Sequence, residues 1–551
     1  MKINQTTSVM KMILLFFLAI LLGCKNDPEV NERLTTKTFN YPVLIGKENN
    51  PILRIQLDNS VEDESVNAIQ LNMGETNLDN VKNVRVFYAG QDSLFSDQVL
   101  FKSLKPSSKE LSLEGSQTLK EGNNYFWVSY ELEDNSDVTE KVYAKIDFVT
   151  VGDQKLGVSN SDGVVGQRIG VAVRQHQEDN VHTYRIPGLT TTNEGSLLAI
   201  YDVRRDSRRD LQGNMDIGVS RSTDGGNTWE PMRIALDMGE WGGLPQKFNG
   251  VSDANILVDK NTGTIYLAGL WMHGVINADG IWVENLTEDS EEWNHQWRTK
   301  GSQPGLGVKQ SSQFLITKST DDGKTWSEPI NLTEMCKNPK WWLWAPAPGH
   351  GITLKDGTLV MPTQGRDENG LPFSNITYTK DGGKTWKTSK PASHSTTECM
   401  AVELSDGSIM LNIRDNRNRE NKSETNGRAV MVTDDLGETW SEHPSSHGAL
   451  IEPTCMASIH RHNYVDTEGI SKSILLFSNP NSKYKRIKQT IKVSLDNGET
   501  WPDKYWMELD EGSGSGYSCI TSVDNDHIGI LYEGSQVQMT FQKIKIDELI
   551  K

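Results

Sequence analysis

The 551-residue sequence predicts an all-β protein, a β-propeller preceded by a β-sandwich. Three observations predict it. The turn motif S/T-x-D-x-G-x-T-W occurs five times, centred on Asp224, Asp321, Asp381, Asp435 and Asp496. The motifs are 97, 60, 54 and 61 positions apart, and repetition at that distance marks a radial array of small sheets. Second, long helical periodicity is hard to find from Gln167 onward. Third, residues 36–153 lack the motif and alternate with period two in short runs, as in Val84-Arg85-Val86-Phe87-Tyr88 and Asn124-Tyr125-Phe126-Trp127-Val128-Ser129-Tyr130. Each motif reads as a hairpin turn. Its Asp would accept backbone amides two residues on, its Gly would supply positive φ, and its Trp would pack beside the turn. The first gap implies blades without a motif.

Residues 1–24 read as a targeting segment. Lys2 and Lys11 form a basic start. Met12 to Leu22 is an apolar run too short to span a bilayer comfortably. It ends in Leu21-Leu22-Gly23-Cys24, which resembles a bacterial lipobox and makes Cys24 the expected lipidation site. The expectation is a lipoprotein on the bacterial outer membrane, facing the periplasm or the outside. Residues 25–35 then form a tether. Residues 36–153 form the sandwich, either a carbohydrate-binding module or a spacer. Residues 154–166 are a Gly-, Ser-, Asn- and Asp-rich linker, and 167–551 are the propeller.

With 56 Lys plus Arg against 74 Asp plus Glu, the net charge is −18. That argues against nucleic acid, or an anionic membrane surface, as a partner. An anionic ligand would have to be held by local arginines. The four later cysteines, Cys336, Cys399, Cys455 and Cys519, show no metal-ligand spacing.

Tyr184-Arg185-Ile186-Pro187 opens the propeller, ahead of the five Asp boxes. Together these motifs, over roughly residues 165–545, resemble the bacterial exo-α-sialidases (neuraminidases). These are glycoside hydrolases with Asp-box (BNR) repeats on a six-bladed propeller. The resemblance implies three arginines gripping a sialic acid carboxylate. Arg185 matches by its Arg-Ile-Pro context, Arg414 by Asn412-Ile413-Arg414-Asp415, and Arg486 by its place before the fifth box. Paired guanidinium donors suit a carboxylate in any case. Arg204 matches a further substrate-contacting arginine, and Asp210, six residues on, matches the acid/base, with Asp206 as a nearby competitor. Tyr517, between Gly516 and Ser518, matches the catalytic tyrosine, and Glu398 the glutamate paired with it. Glu533 matches the carboxylate that steadies Arg185, and Asp253 an acid facing the sugar's amide and hydroxyl side.

The resemblance implies retaining hydrolysis of terminal α-linked sialic acid from sialylated glycans, with no metal or organic cofactor. A phenol with a pKa near 10 is a weak nucleophile unless a carboxylate takes its proton. A neutral nucleophile suits a sugar whose anomeric carbon carries a carboxylate, and sialidases are a known Tyr exception among glycosidases. Trp271, Trp282, Trp293 and Trp297 read either as a wall of the substrate pocket or as core. Two other functions stay open. One is a trans-sialidase, including the intramolecular kind. The other is a non-catalytic glycan-binding propeller, which would have no need of a Tyr–Glu pair beside three arginines.

Overall fold

A computed structural model describes residues 29–550 apart from 62, 160–164, 212, 244–245, 274–282, 284–301 and 309. Cys24 and the targeting segment, and Trp282, Trp293 and Trp297, lie outside the described residues.

Two five-stranded sheets form the sandwich. One joins Glu29–Asn31, Gln154–Val158, Lys145–Val151, Ser65–Asn72 and Glu110–Thr118. The other joins Leu34–Thr38, Asn50–Asn59, Gly122–Leu132, Val81–Gly90 and Leu100–Leu104. Alternate residues point inward, so Asn124, Phe126, Val128, Tyr130 and Leu132 are buried along one strand. The expected tether and linker give way to strands in part. Glu29–Asn31 pairs in parallel with Gln154–Val158, and Leu34–Thr38 pairs with Asn50–Asn59. These edge segments are polar, so composition hides strands that backbone pairing holds.

Six four-stranded blades follow. Blade I holds Thr183–Thr191, Leu197–Arg204, Met215–Ser222 and Arg233–Leu236, and blade II holds Asn249–Val258, Ile265–His273, Gln313–Ser319 and Ile330–Asn331. Blade III holds a broken inner strand, Leu343–Pro346 with Ile352–Thr353, then Leu359–Arg366, Pro372–Thr379 and Lys387–Thr388. Blade IV holds Thr396–Glu403, Ile409–Asp415, Ala429–Thr433 and Ser441–Glu442. Blade V holds Ser458–Val465, Ser471–Pro480, Ile487–Ser494 and Trp506–Ser513. Blade VI takes Ser518–Ser522, His527–Tyr532 and Met539–Lys545 from the end of the chain, and Gln167–Arg174 from the start of the propeller. That last pairing closes the ring and removes the open sheet edges. Blades cover one another's faces, so Leu197–Arg204, Met215–Ser222 and Asn249–Val258 are buried at every position.

All five Asp boxes join the third strand of a blade to its fourth, in blades I to V. The long first gap therefore skips no blade. It arises from the long connection between Ile265–His273 and Gln313–Ser319, and blade VI is the one without a box. The expected amide bond two residues on is also replaced. At Asp321, Oδ1 accepts the amide of Thr325, four residues on, at 2.9 Å, and Oδ2 accepts its hydroxyl at 2.6 Å. Gly323, at φ 77°, folds the turn back and donates its amide to Ser319 Oγ at 3.0 Å. These bonds, the Thr hydroxyl first, hold the carboxyls of Asp321, Asp381 and Asp435 down at about 2.

The sandwich is stitched to blade VI. Val43–Ile45 pairs in parallel with Ile169–Val171, and Lys141–Val142 pairs with Gln167–Arg168. One hydrophobic cluster runs through both domains, from Val43, Ile45 and Val142 to Ile169, Val171 and Phe541.

Candidate active site

The inner strands of several blades are distorted at one end of the channel. Register breaks occur between Arg185 and Gly188, between Ser252 and Asn255, and between Thr396 and Cys399. Ile186, Asp253, Ser395 and Thr454 have φ of 62°, 55°, 61° and 56°. Such bulges re-aim side chains, and each non-glycine strain of this kind costs about 1–3 kcal/mol, which the surrounding packing must hold in place. Here they turn residues from blades I, II, IV and V toward one point.

Tyr517 stands at that point, buried, just before the inner strand of blade VI. Its hydroxyl donates to Glu398 Oε1 and accepts Arg414 Nη1 at 3.0 Å. Arg414 Nη1 also donates to Glu398 Oε2 at 2.5 Å. The guanidinium carbons of Arg185 and Arg486 lie 5.4 and 5.5 Å from the Tyr517 ring centroid. Burial, then the Glu398 charge, push the phenol well above its ordinary pKa, against the pull of Arg414 and Arg486. The resting phenol is therefore neutral, and Glu398 is placed to receive its proton.

Gly516, at φ 88°, permits the turn into Tyr517. A Cβ there would lie 2.9 Å from Pro480 and 3.1 Å from Arg486. Arg486 Nη1 donates to the carbonyl of Ser515 at 2.7 Å. Its sequence neighbour Lys483 donates instead to the carbonyl of Ser423, at 2.7 Å.

Glu533, buried on blade VI, does more than steady one arginine. Its Oε1 accepts Arg185 Nε and the Ile186 amide, the latter at 3.0 Å, and its Oε2 accepts the Tyr517 amide at 2.9 Å. One carboxylate thus fixes the first arginine, a strained residue and the tyrosine backbone. Engaging Arg185 through Nε leaves its terminal nitrogens out of the pairing.

Asp210 lies on an exposed loop after Leu197–Arg204, with its side chain 55% exposed and in a salt bridge with Arg204 Nη1. Burial of part of the group pulls its pKa up, but Arg204 and Arg185 outweigh it and hold the carboxylate below its ordinary value. Asp206, its sequence competitor, is exposed on the same loop. Arg204 differs from expectation. Its side chain is 1% exposed and is shared between Asp210 and Asp202, with Nη2 donating to Asp202 Oδ2 at 2.8 Å. Both edges of the guanidinium are engaged, so it ties Asp210 to Asp202. Asp202 was not singled out from the sequence. The signal was present, because residues two apart on a strand share a face. Asp202 also accepts Ser252 Oγ at 2.7 Å, and burial pushes its carboxyl up to about 6.

Asp253 is buried beside these groups. Burial first, then the charges of Asp202, Glu398 and Asp210, raise its pKa well above the ordinary carboxylate value, against the pull of Arg204. Trp271 is fully buried and packs edge-on against Trp241 at 4.4 Å, which makes it core. A second support had no sequence signal at all. Arg428 and Glu452, both fully buried, pair at 2.7 Å. Arg428 Nη1 also holds the carbonyl of Cys455 at 2.7 Å, next to strained Thr454. Glu452 Oε1 accepts the Asp415 amide at 2.8 Å, next to Arg414.

A cavity of about 1250 Å³ opens beside Arg185 and Asp210. The arrangement offers a guanidinium cluster for a carboxylate, a neutral phenol poised on a carboxylate, and a second carboxylate at the cavity edge. Pairings of this kind suit nucleophilic and acid/base chemistry on an anionic substrate.

Residues 186–506 match the BNR repeat-like domain family, and residues 31–155 match the N-terminal domain of BNR-repeat neuraminidase. A sialidase of Bacteroides fragilis is 40% identical across 98% of this chain and 100% of its own length. A sialidase of Micromonospora viridifaciens is 32% identical over 64% of this chain and 50% of its own. The solved structure of the Hadza microbial sialidase Hz136 superimposes with a TM-score of 0.83 at 37% identity, covering 94% of this chain and 100% of that one.

Proposed function

The chain belongs to the BNR-repeat sialidase family, and we propose that Tyr517, Glu398, Asp210 and three arginines make it a retaining exo-α-sialidase. It is a glycoside hydrolase acting on sialic acid, and its substrates are sialylated glycans. The observation that carries the mechanism is the Tyr517 hydroxyl, bonded to both Glu398 and Arg414 between Arg185 and Arg486. Arg185, Arg414 and Arg486 grip the substrate carboxylate. Tyr517 attacks the anomeric carbon as Glu398 takes its proton. Because the resting phenol is neutral, proton loss accompanies bond formation. Asp210 protonates the leaving oxygen, then activates water against the sialyl-tyrosine. Asp210 is ionised in the free enzyme, and a substrate carboxylate on Arg185 offsets the charge that keeps it so. Asp253 faces the amide and hydroxyl side of the sugar and hydrogen-bonds it there. The substrates are terminal residues of glycoproteins, glycolipids or oligosaccharides, reached from a lipid anchor at Cys24.

The test is release of sialic acid from α2,3- and α2,6-sialyllactose by the purified chain, with the product's anomeric form followed by NMR at early times. Release of the α-anomer first supports the retaining route. The β-anomer first, or an anhydro product, refutes retaining hydrolysis. A Tyr517→Phe variant with undiminished turnover removes the nucleophile.

A further inference from the structure

The N-terminal sandwich does not stand apart from the catalytic cavity. Val43–Ile45 is bound into blade VI, and the next residues form a tight loop with Gly46 at φ 82°. Buried Asn50 staples that loop. Its side chain accepts the Leu44 amide at 2.9 Å and donates to the carbonyls of Leu44, Lys47 and Tyr130 at 3.1, 3.0 and 3.1 Å. The stapled loop reaches two residues of the cavity wall. Lys47 Nζ donates to Gln536 Oε1 at 3.0 Å, and Gln175 Nε2 donates to the Gly46 carbonyl at 2.8 Å. Gln536 is fixed from its other end too. Its Nε2 donates to Ser535 Oγ at 3.0 Å, and Ser535 is held by Asp510 through both hydroxyl and amide.

Gln175, His176, His182, Ser207 and Gln536 line the same cavity as Asp210. The leaving oxygen must come within hydrogen-bond reach of the acid, so the leaving saccharide lies on that side. At about 1250 Å³ the cavity has room for more than one terminal sugar, and beyond the charged Arg185, Arg208, Arg209, Asp210 and Glu533 its wall offers amides, hydroxyls and imidazoles that can bond saccharide hydroxyls. The sandwich's Phe39 and Trp127 are buried against each other.

We propose that the sandwich is a specificity element of the enzyme: Lys47 and Gly46 hold Gln536 and Gln175 in the wall that receives the saccharide leaving group. Lys47 is a positioning residue, and burial that pushes its ammonium down to about 8 agrees with a fixed, half-dry contact. The inference rests on the sialidase reading. The experiment measures kcat/KM of the full chain on 3′-sialyllactose and on an aryl sialoside, whose flat leaving group carries no second sugar. Lys47→Met keeps the aliphatic stem and removes the hydrogen bond. The expected result is a loss of about fivefold on sialyllactose, with the aryl sialoside within twofold of wild type and an unchanged melting temperature. Gln536→Ala should lower the saccharide-to-aryl ratio likewise, and the double variant should lose no more than Gln536→Ala alone. An unchanged ratio in Lys47→Met and Gln536→Ala overturns the proposal. So does an equal fall on both substrates, which would make the sandwich a brace for the tyrosine loop. A wild-type chain inactive on the aryl sialoside would instead overturn the sialidase reading itself.

Discussion

Replacing Glu533 by Gln tests the centre of the proposed site with almost no change of shape. The wild-type carboxylate accepts three donors: Arg185 Nε and the Ile186 amide at Oε1, and the Tyr517 amide at Oε2. Gln offers one acceptor oxygen and one NH2. With its oxygen toward Arg185 and Ile186, the NH2 faces the Tyr517 amide, donor against donor. Turned over, it strands Arg185 and Ile186 instead. One orphaned buried donor costs about 1–3 kcal/mol, and breaking a buried ion pair costs about 3–5 kcal/mol. Arg185 is 18% exposed and Glu533 2%, so the lower part of the second range applies. A combined loss of about 4–6 kcal/mol, felt in the positioning of both groups, corresponds to roughly 10³–10⁴ in kcat/KM, because each 1.36 kcal/mol is tenfold. Both parameters should move. KM rises because the first arginine loses its orientation, and kcat falls because the tyrosine backbone loses its anchor. The assay is steady-state kinetics on an aryl sialoside beside thermal unfolding. Activity within threefold of wild type at an unchanged melting temperature would refute the claim that Glu533 sets both groups.

Asp210→Ala should lose at least tenfold more activity on sialyllactose than on an aryl sialoside, since an activated leaving group needs little protonation; equal losses on the two count against the acid role. Arg428→Met should destabilise the chain by about 3–5 kcal/mol in urea titration, and pairing it with Glu452→Met should restore little. The double variant still orphans the Asp415 amide and the Cys455 carbonyl, so full recovery would show that the network is not structural. Stability should fall on acidification below about pH 4. The box carboxyls are ionised down to about 2 in the fold, whereas unfolded Asp takes its proton near 3.9, so the unfolded state binds more protons in that window. Thr385→Val, which removes the hydroxyl bonded to Asp381 Oδ2 at 2.6 Å, should lessen the acid-dependent fall; an acid transition identical to wild type would exclude that bond as its source.

The five boxes, the Arg-Ile-Pro run and the Gly-flanked tyrosine are local patterns, and the sequence by itself determined the propeller and, through the family resemblance they carry, the Tyr517–Glu398 pair and the arginines found around it. Turn chemistry acts within a few residues, so its signal survives in one dimension. The sequence misread what depends on distance along the chain. The 97-residue gap suggested a blade without a motif, because a long hairpin connection and a whole blade occupy similar lengths of chain. Arg204 reads as a free substrate contact until its strand places Asp202 beside it and the following loop returns Asp210 to its other edge. Arg428 and Glu452 carry no motif, and Lys47 meets Gln536 across 489 positions. Only the tertiary structure decided these. A buried charge is specified by whichever partner the closed ring brings to it, and that partner follows from blade packing and bulge geometry, not from neighbours in sequence.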